Sequence, residues 1–280
     1  MQKRIFLKAV LGLSVALGVS FAGSNLASAQ DALEKVKSSG TLTVGTETAF
    51  APFDFIDETG THAGLNVDLF EEIGKEMGVE IKWVELPWEG VLPGLEAGQF
   101  DMVAGPATIT KARMERYRFL SPVAEATVAI LKKAGDDSIE KPEDIAGKLV
   151  GSGKATAQLA QLQEYGATLP EPVETREYVG FNEAYADLAA GRIVAVANSL
   201  PNIAYLASQQ PDVFETVLPP FGKSTYFGYI GTKKPEDQAL LDAVNDALLK
   251  IKADGRLGEL QKKWFGQTFD TPEAVTDPNV

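Results

Sequence analysis

"WEGVLPGLEAGQFDMVAGPATITKARMER", residues 88–116, is the stretch on which the fold turns. "GVLPGLEAGQ" reads as a short helix and "FDMVAG" as a buried strand. Two threonines, Thr108 and Thr110, then flank Ile109, and Arg113 follows. Strands that end in small residues and pass into a helix build ligand sites in α/β proteins, because polar groups converge beyond the strand's carboxyl end. The sequence sets a guanidinium at such a place.

Working outward, "TLTVG" (41–45) alternates and ends in glycine, and "VEIKWVEL" (79–86) reads as a strand. Between them, "NVDLFEEIGKEMG" (66–78) spaces Leu69, Ile73 and Met77 by four with Phe70 alongside, an amphipathic helix stopped by Gly78. After Leu131 the texture changes. "KKAGDDSIEKPEDIAGK" (132–148) is polar, carries Gly and Pro, and reads as a surface excursion. A second strand–helix series follows through "LVGSG" (149–153), "ATAQLAQLQEYG" (155–166), "NEAYADLAAG" (182–191) and "RIVAVANS" (192–199). "LEAGQFDMVAG" and "LAAGRIVAVAN" share one local grammar, a helix closed by Gly and then a buried strand, so two α/β lobes are expected. "PEDQALLDAVNDALLKIKADG" (235–255) is a helix with Leu241, Val244, Leu248 and Ile251 on one stripe. "RLGELQKKWFG" (256–266) continues it, and the last ten residues read as frayed.

Composition excludes several classes. Lys3, Arg4 and Lys8 precede an apolar run from Ala9 to Ala22 and then "ASA" (27–29), the order of a secretory signal cut after Ala29. The run is shorter than the roughly 20 residues that span a bilayer. Without those three cations the chain keeps 23 basic residues (26 − 3) against 39 acidic ones, a net charge of −16. Nucleic acid is therefore excluded as a partner by charge. With no Cys and one His, in "DETGTHAG", neither a disulfide scaffold nor a metal site is expected, and His62 reads as a solvated loop residue. No nucleophile–base pair stands out, so catalysis is not expected, and no cofactor is implied.

These segments, taken together, resemble the solute-binding proteins of polar amino-acid ABC importers, family 3. The resemblance rests on "VGTETAFAPF" (44–53), "GLNVDL" (64–69), "WEGVLPGLEAGQFDMV" (88–103), "TITKAR" (108–113), "SIEKPEDIAGKLVG" (138–151), "AGRIVAVANSLP" (190–201) and "GELQKKWFG" (258–266). It implies a type II periplasmic-binding-protein clamshell, α/β, with two hinge strands. Residues 30–125 and 223–280 would form lobe one, and 126–222 lobe two. The implied product is a periplasmic monomer that carries a small zwitterion to an ABC permease.

The same resemblance implies the ligand set. Arg113 would hold a ligand carboxylate through its planar fork, with Thr108 and Pro106 beside it on the strand end. Phe50 and Trp88 match positions where aromatic rings stack on the ligand. Glu47 matches a position that reads the ligand's far end. Lobe two departs from the pattern. Thr156 stays where relatives carry Gly-Thr-Thr, but Ala155 and Ala157 flank it. Asn198 and Ser199 stand where relatives end a strand in the aspartate that pairs with an α-ammonium. Glu47 would then take over the cation, or the ligand would be a compatible solute, an N-substituted amino acid or an opine-like conjugate. A cyclic-acid dehydratase and a sensor domain are the alternatives on the same fold.

Overall fold

The computed structural model describes residues 31–280, so the signal-like segment lies outside the described residues. The chain opens with α1 (Ala32–Ser39) and β1 (Thr41–Thr46). A small sheet follows, β2 (Ala49–Phe50), β3 (Asp54–Ile56) and β4 (His62–Ala63), then α2 (Leu65–Met77), β5 (Glu80–Glu85), α3 (Trp88–Glu96), β6 (Met102–Thr108) and α4 (Lys111–Arg116). Short strands β7 (Tyr117–Phe119) and β8 (Ala124–Glu125) lead to β9 (Val128–Lys133), β10 (Leu149–Gly153), α5 (Ala157–Gly166), β11 (Glu174–Tyr178) and α6 (Phe181–Ala189). Then come β12 (Ala195–Ser199), α7 (Leu200–Gln209), β13 (Phe214–Val217), β14 (Tyr226–Thr232), α8 (Gln238–Ala253) and α9 (Arg256–Phe265).

Two sheets repeat one plan. The first runs β5-β1-β6-β14-β7 and the second β11-β10-β12-β9-β13. In each, the first three strands are parallel and the fourth is antiparallel to its neighbour. This common order underlies the shared grammar of the two sequence halves. Because helices cover both faces, β6 is buried along its whole length. Its period of two divides the packing. Met102 and Ala104 join the cluster of Leu69, Phe70, Leu240 and Leu248, whereas Val103 and Ala107 pack with Trp88, Val91 and Leu95 of α3.

The chain passes between the sheets twice, between β8 and β9 and again between β13 and β14. The two crossings lie side by side. The Ala126 N–H donates to the Thr225 carbonyl at 2.8 Å, and the Gly222 N–H to the Val128 carbonyl at 2.9 Å. They are the hinge strands of a two-lobed α/β clamshell.

Three readings from sequence need correction. His62 is not a solvated loop residue. It is half-buried in β4, its Nε2 lies 3.0 Å from Asp54 Oδ1, and its ring meets Trp83 edge-on. The polar excursion at 132–148 buries Ile139 and Ile145 completely. The last residues are not frayed. Lys252 Nζ donates to oxygens of Ser121, Pro122, Thr271 and Pro272, and the Lys111 N–H donates to Val280 O at 2.7 Å.

One glycine is fixed by space. Gly64 caps α2 at φ 138°, and a Cβ there would lie 2.1 Å from the Phe53 carbonyl oxygen. Gly64→Ala is expected to destabilise the protein by about 2–4 kcal/mol, since both the φ and the backbone contact must be relieved. Urea denaturation would check this against Gly98→Ala, which meets nothing within 4 Å.

Candidate ligand-binding cleft

In both sheets the parallel strands aim their carboxyl ends at the seam between the lobes. From lobe one, Glu47 follows β1, Trp88 starts α3 just beyond β5, and Pro106 and Thr108 end β6 ahead of Arg113 on α4. Pro106 has no N–H to give to the ladder, and the β6–β14 pairing shifts register between Gly228 and Ile230. From lobe two, Thr156 caps α5 after β10, while Asn198 and Ser199 close β12.

Arg113 lies against the indole of Trp88, its Cζ 5.2 Å from the ring centroid, and Nη1 donates to the Thr108 carbonyl at 3.1 Å. No carboxylate among the described residues comes within 4.0 Å of it. Burial lowers its pKa to about 10, so it stays cationic at neutral pH. A desolvated cation with one backbone-carbonyl acceptor and unused donors is poised to take a planar anion. Thr108 is buried, and its carbonyl serves to aim the guanidinium.

Glu47 is only 7% exposed, and no hydrogen bond or ion pair engages its carboxylate among the described residues. Desolvation first, and the charge of Asp54 second, push its pKa up to about 8. It lines a crevice of about 300 Å³ shared with Glu85 of lobe one and Val179, Gly180 and Glu183 of lobe two. Asp54 is itself anchored by His62 and by Asn66 Nδ2, and Tyr229 donates to Asn66 Oδ1 at 2.8 Å. This chain of buried polar groups behind Glu47 has no counterpart in the sequence reading.

The lobe-two residues are already engaged with one another. The Thr156 hydroxyl accepts from the Leu159 N–H at 3.1 Å and donates to the Gly153 carbonyl at 2.6 Å, so it serves the helix terminus. Asn198 Nδ2 donates to the Tyr185 hydroxyl at 2.8 Å, and its Oδ1 accepts from the Ser199 N–H. Gln158 Nε2 donates to Ser199 Oγ at 2.7 Å. Ser199 is fully buried and keeps its own proton to give. Tyr185 and Gln158 were missed from sequence because each sits inside a helical stripe that reads as ordinary packing. Burial holds the Tyr185 hydroxyl far above its ordinary pKa, and the charge of Glu47 is a lesser cause in the same direction.

Phe50 stands in a ring cluster, 5.8 Å from Phe53, 5.7 Å from Phe227 and 5.7 Å from Phe181 of lobe two. Phe53 is fully buried core, and Phe55 packs edge-on to Trp264. The lobes touch elsewhere too. Asn202 Nδ2 donates to the Ala51 carbonyl at 2.8 Å, and Lys154 pairs with Glu89 at 2.7 Å. The clamshell is closed.

The family model "Bacterial extracellular solute-binding proteins, family 3" matches residues 42–267, which includes every candidate residue above. The chain belongs to that family. This family 3 protein is 33% identical over 258 residues to the L-cystine-binding protein TcyJ of Escherichia coli, covering 92% of this chain and 91% of that one. It is 28% identical to the histidine-binding periplasmic protein of the same species, covering 92% and 96%. Among solved structures, an ancestral arginine-binding protein bound to arginine is 33% identical with a TM-score of 0.74, over 81% of this chain and 99% of that one. The ancestral amino acid-binding protein AncCDT-1, a precursor of cyclohexadienyl dehydratase, is 31% identical with a TM-score of 0.76, over 84% and 99%. No helix of this family 3 protein among the described residues is long and apolar enough to cross a membrane.

Proposed function

We propose that this protein is the exported binding component of an ABC importer and carries a small zwitterion with a carboxylate and a nitrogen cation. One observation carries the reading: a buried cation, Arg113, and a buried acid, Glu47, each lack an ionic partner at the seam of a closed two-lobed cleft. Burying the Arg113 cation without a partner costs several kcal/mol, and Glu47 meets the same cost by keeping its proton up to about pH 8; a ligand bearing both complements relieves the two together. Arg113 takes the carboxylate. On lobe two, β12 ends in Asn198 and Ser199 and offers the ammonium no carboxylate, so Glu47 takes the cation. Phe50 and Trp88 wall the cleft, with Thr108, Pro106 and Thr156 as its floor. The hinge contacts at Ala126–Thr225 and Val128–Gly222 support lobe limits near residues 126 and 222. The monomer, its periplasmic site and its permease partner complete the proposal.

A thermal-shift screen tests the ligand class, with L-cystine, L-arginine, L-histidine, L-glutamine, betaine-like and ectoine-like solutes and opines. At least one carboxylate-bearing nitrogen compound is expected to raise Tm by several degrees through preferential binding to the native state. A rise with sugars alone would overturn the reading.

A second reading is favoured by one feature. At neutral pH a Glu47 raised to about 8 is mostly protonated, the state a general acid needs. The likeness to AncCDT-1 gives that reading a structural precedent. Incubation with prephenate-like cyclic acids separates the two: turnover supports an enzyme, and stoichiometric retention without product supports a carrier.

A further inference from the structure

Trp88 does two things that a ring stacked on ligand does not require. One face carries the guanidinium of Arg113, and the edge donates Nε1–H to the Ala155 carbonyl at 3.2 Å, across the seam. The indole is 6% exposed and packs with Val91, Leu95, Phe100 and Tyr117 of lobe one. Its neighbour Glu89 reaches Lys154, the residue before Ala155, at 2.7 Å. Two consecutive residues at the start of α3 thus clasp two consecutive residues ahead of α5.

The receiving side is built for this. Ala155 has φ 58°, the only non-glycine residue with positive φ among the described residues. A left-handed alanine costs about 1–2 kcal/mol, and such strain persists only where the surroundings fix it. Here the conformation accompanies a carbonyl aimed at Trp88, immediately before the Thr156 cap. The run "KATA" (154–157) supplies the lobe-two side of the clasp, the Lys154 ammonium and the Ala155 carbonyl.

We infer that Trp88 is a positioning residue, which orients Arg113 and, with Glu89, fastens lobe two through Lys154 and Ala155, so that the carboxylate site and the closed state form together. The inference rests on the carrier reading for its consequence, but the clasp joins protein groups alone and is tested by itself in ligand-free protein.

The test pairs Trp88→Phe, which keeps the ring and loses the N–H, with Lys154→Met, which keeps the stem and loses the charge. Ala155→Gly keeps the carbonyl and serves as the folding control. Small-angle scattering of ligand-free protein is expected to give a compact wild type and Ala155→Gly, and a larger radius of gyration for Trp88→Phe/Lys154→Met. A wild type as extended as the double variant, or a double variant as compact as the wild type, overturns the clasp. With L-arginine and L-cystine as probes, Trp88→Phe should release bound ligand about 3–10-fold faster, the worth of one hydrogen bond. Its association rate should stay within twofold. Unchanged release from a variant that binds would also overturn it. If neither probe binds wild type, the carrier reading for those ligands fails while scattering still decides the clasp.

Discussion

Arg113→Ala should abolish ligand binding and leave the fold intact. The guanidinium spends one donor on the Thr108 carbonyl and rests on the Trp88 ring, while its remaining donors face the seam. Removing one member of a buried charge pair costs about 2–5 kcal/mol, roughly 30- to several-thousand-fold in Kd. The ligand-free variant should be as stable as wild type or slightly more so, because a desolvated cation without an acid partner is removed. Arg113→Lys should fall between the two, since an ammonium cannot make the paired contacts of the fork. Isothermal titration with the strongest ligand from the screen, beside a urea melt, separates binding from folding. Wild-type affinity in Arg113→Ala would remove the carboxylate from the proposal.

Glu47→Gln should pull stability and affinity in opposite directions, and pH shows why. The carboxyl titrates near 8 in the fold against an ordinary 4.5. Between those values the native state holds a proton that the unfolded chain has lost, so this group's contribution to stability falls as pH rises. Below pH 4.5 both states are protonated and nothing is lost; above 8 the loss is complete. Glutamine has no proton to lose. The ligand-free variant should therefore match wild type near pH 4.5 and exceed it by on the order of 2–4 kcal/mol at pH 8. Affinity for a cationic ligand should do the reverse. In wild type it climbs by up to about tenfold per pH unit between 6 and 8, because binding drives the carboxyl to ionise. In Glu47→Gln it is weaker and flat. Melting curves across pH, with titrations in buffers of different ionisation enthalpy to count released protons, check both arms. A flat wild-type profile would free Glu47 of the cation.

The elements were legible because their signals are local. Gly78 ends α2 in the left-handed conformation where the pattern placed a stop, and the alternation at 41–45 became β1. Arg113 and Glu47 were named through the family resemblance; Glu47 directly follows β1, and Arg113 lies on α4 just beyond β6. What the sequence hid depends on distance along the chain. Asn66 meets Tyr229 across 163 positions, and Gln158 meets Ser199 across 41. No window of residues carries that information. Nor does "KATA" announce that Ala155 turns left-handed, with its carbonyl meeting a tryptophan 67 positions earlier. The docked tail was missed for the same reason: Lys252 and Ser224, which hold it, lie in other segments.

The rings of Phe50 and Phe181 belong to different lobes and meet at 5.7 Å. Swinging the jaws apart wets both, and exposing apolar surface raises heat capacity. Shutting the trap is thus a thermometer-sensitive act: the greasy share of its grip fades in the cold, while the polar fastening at Trp88 and Lys154 does not depend on that term.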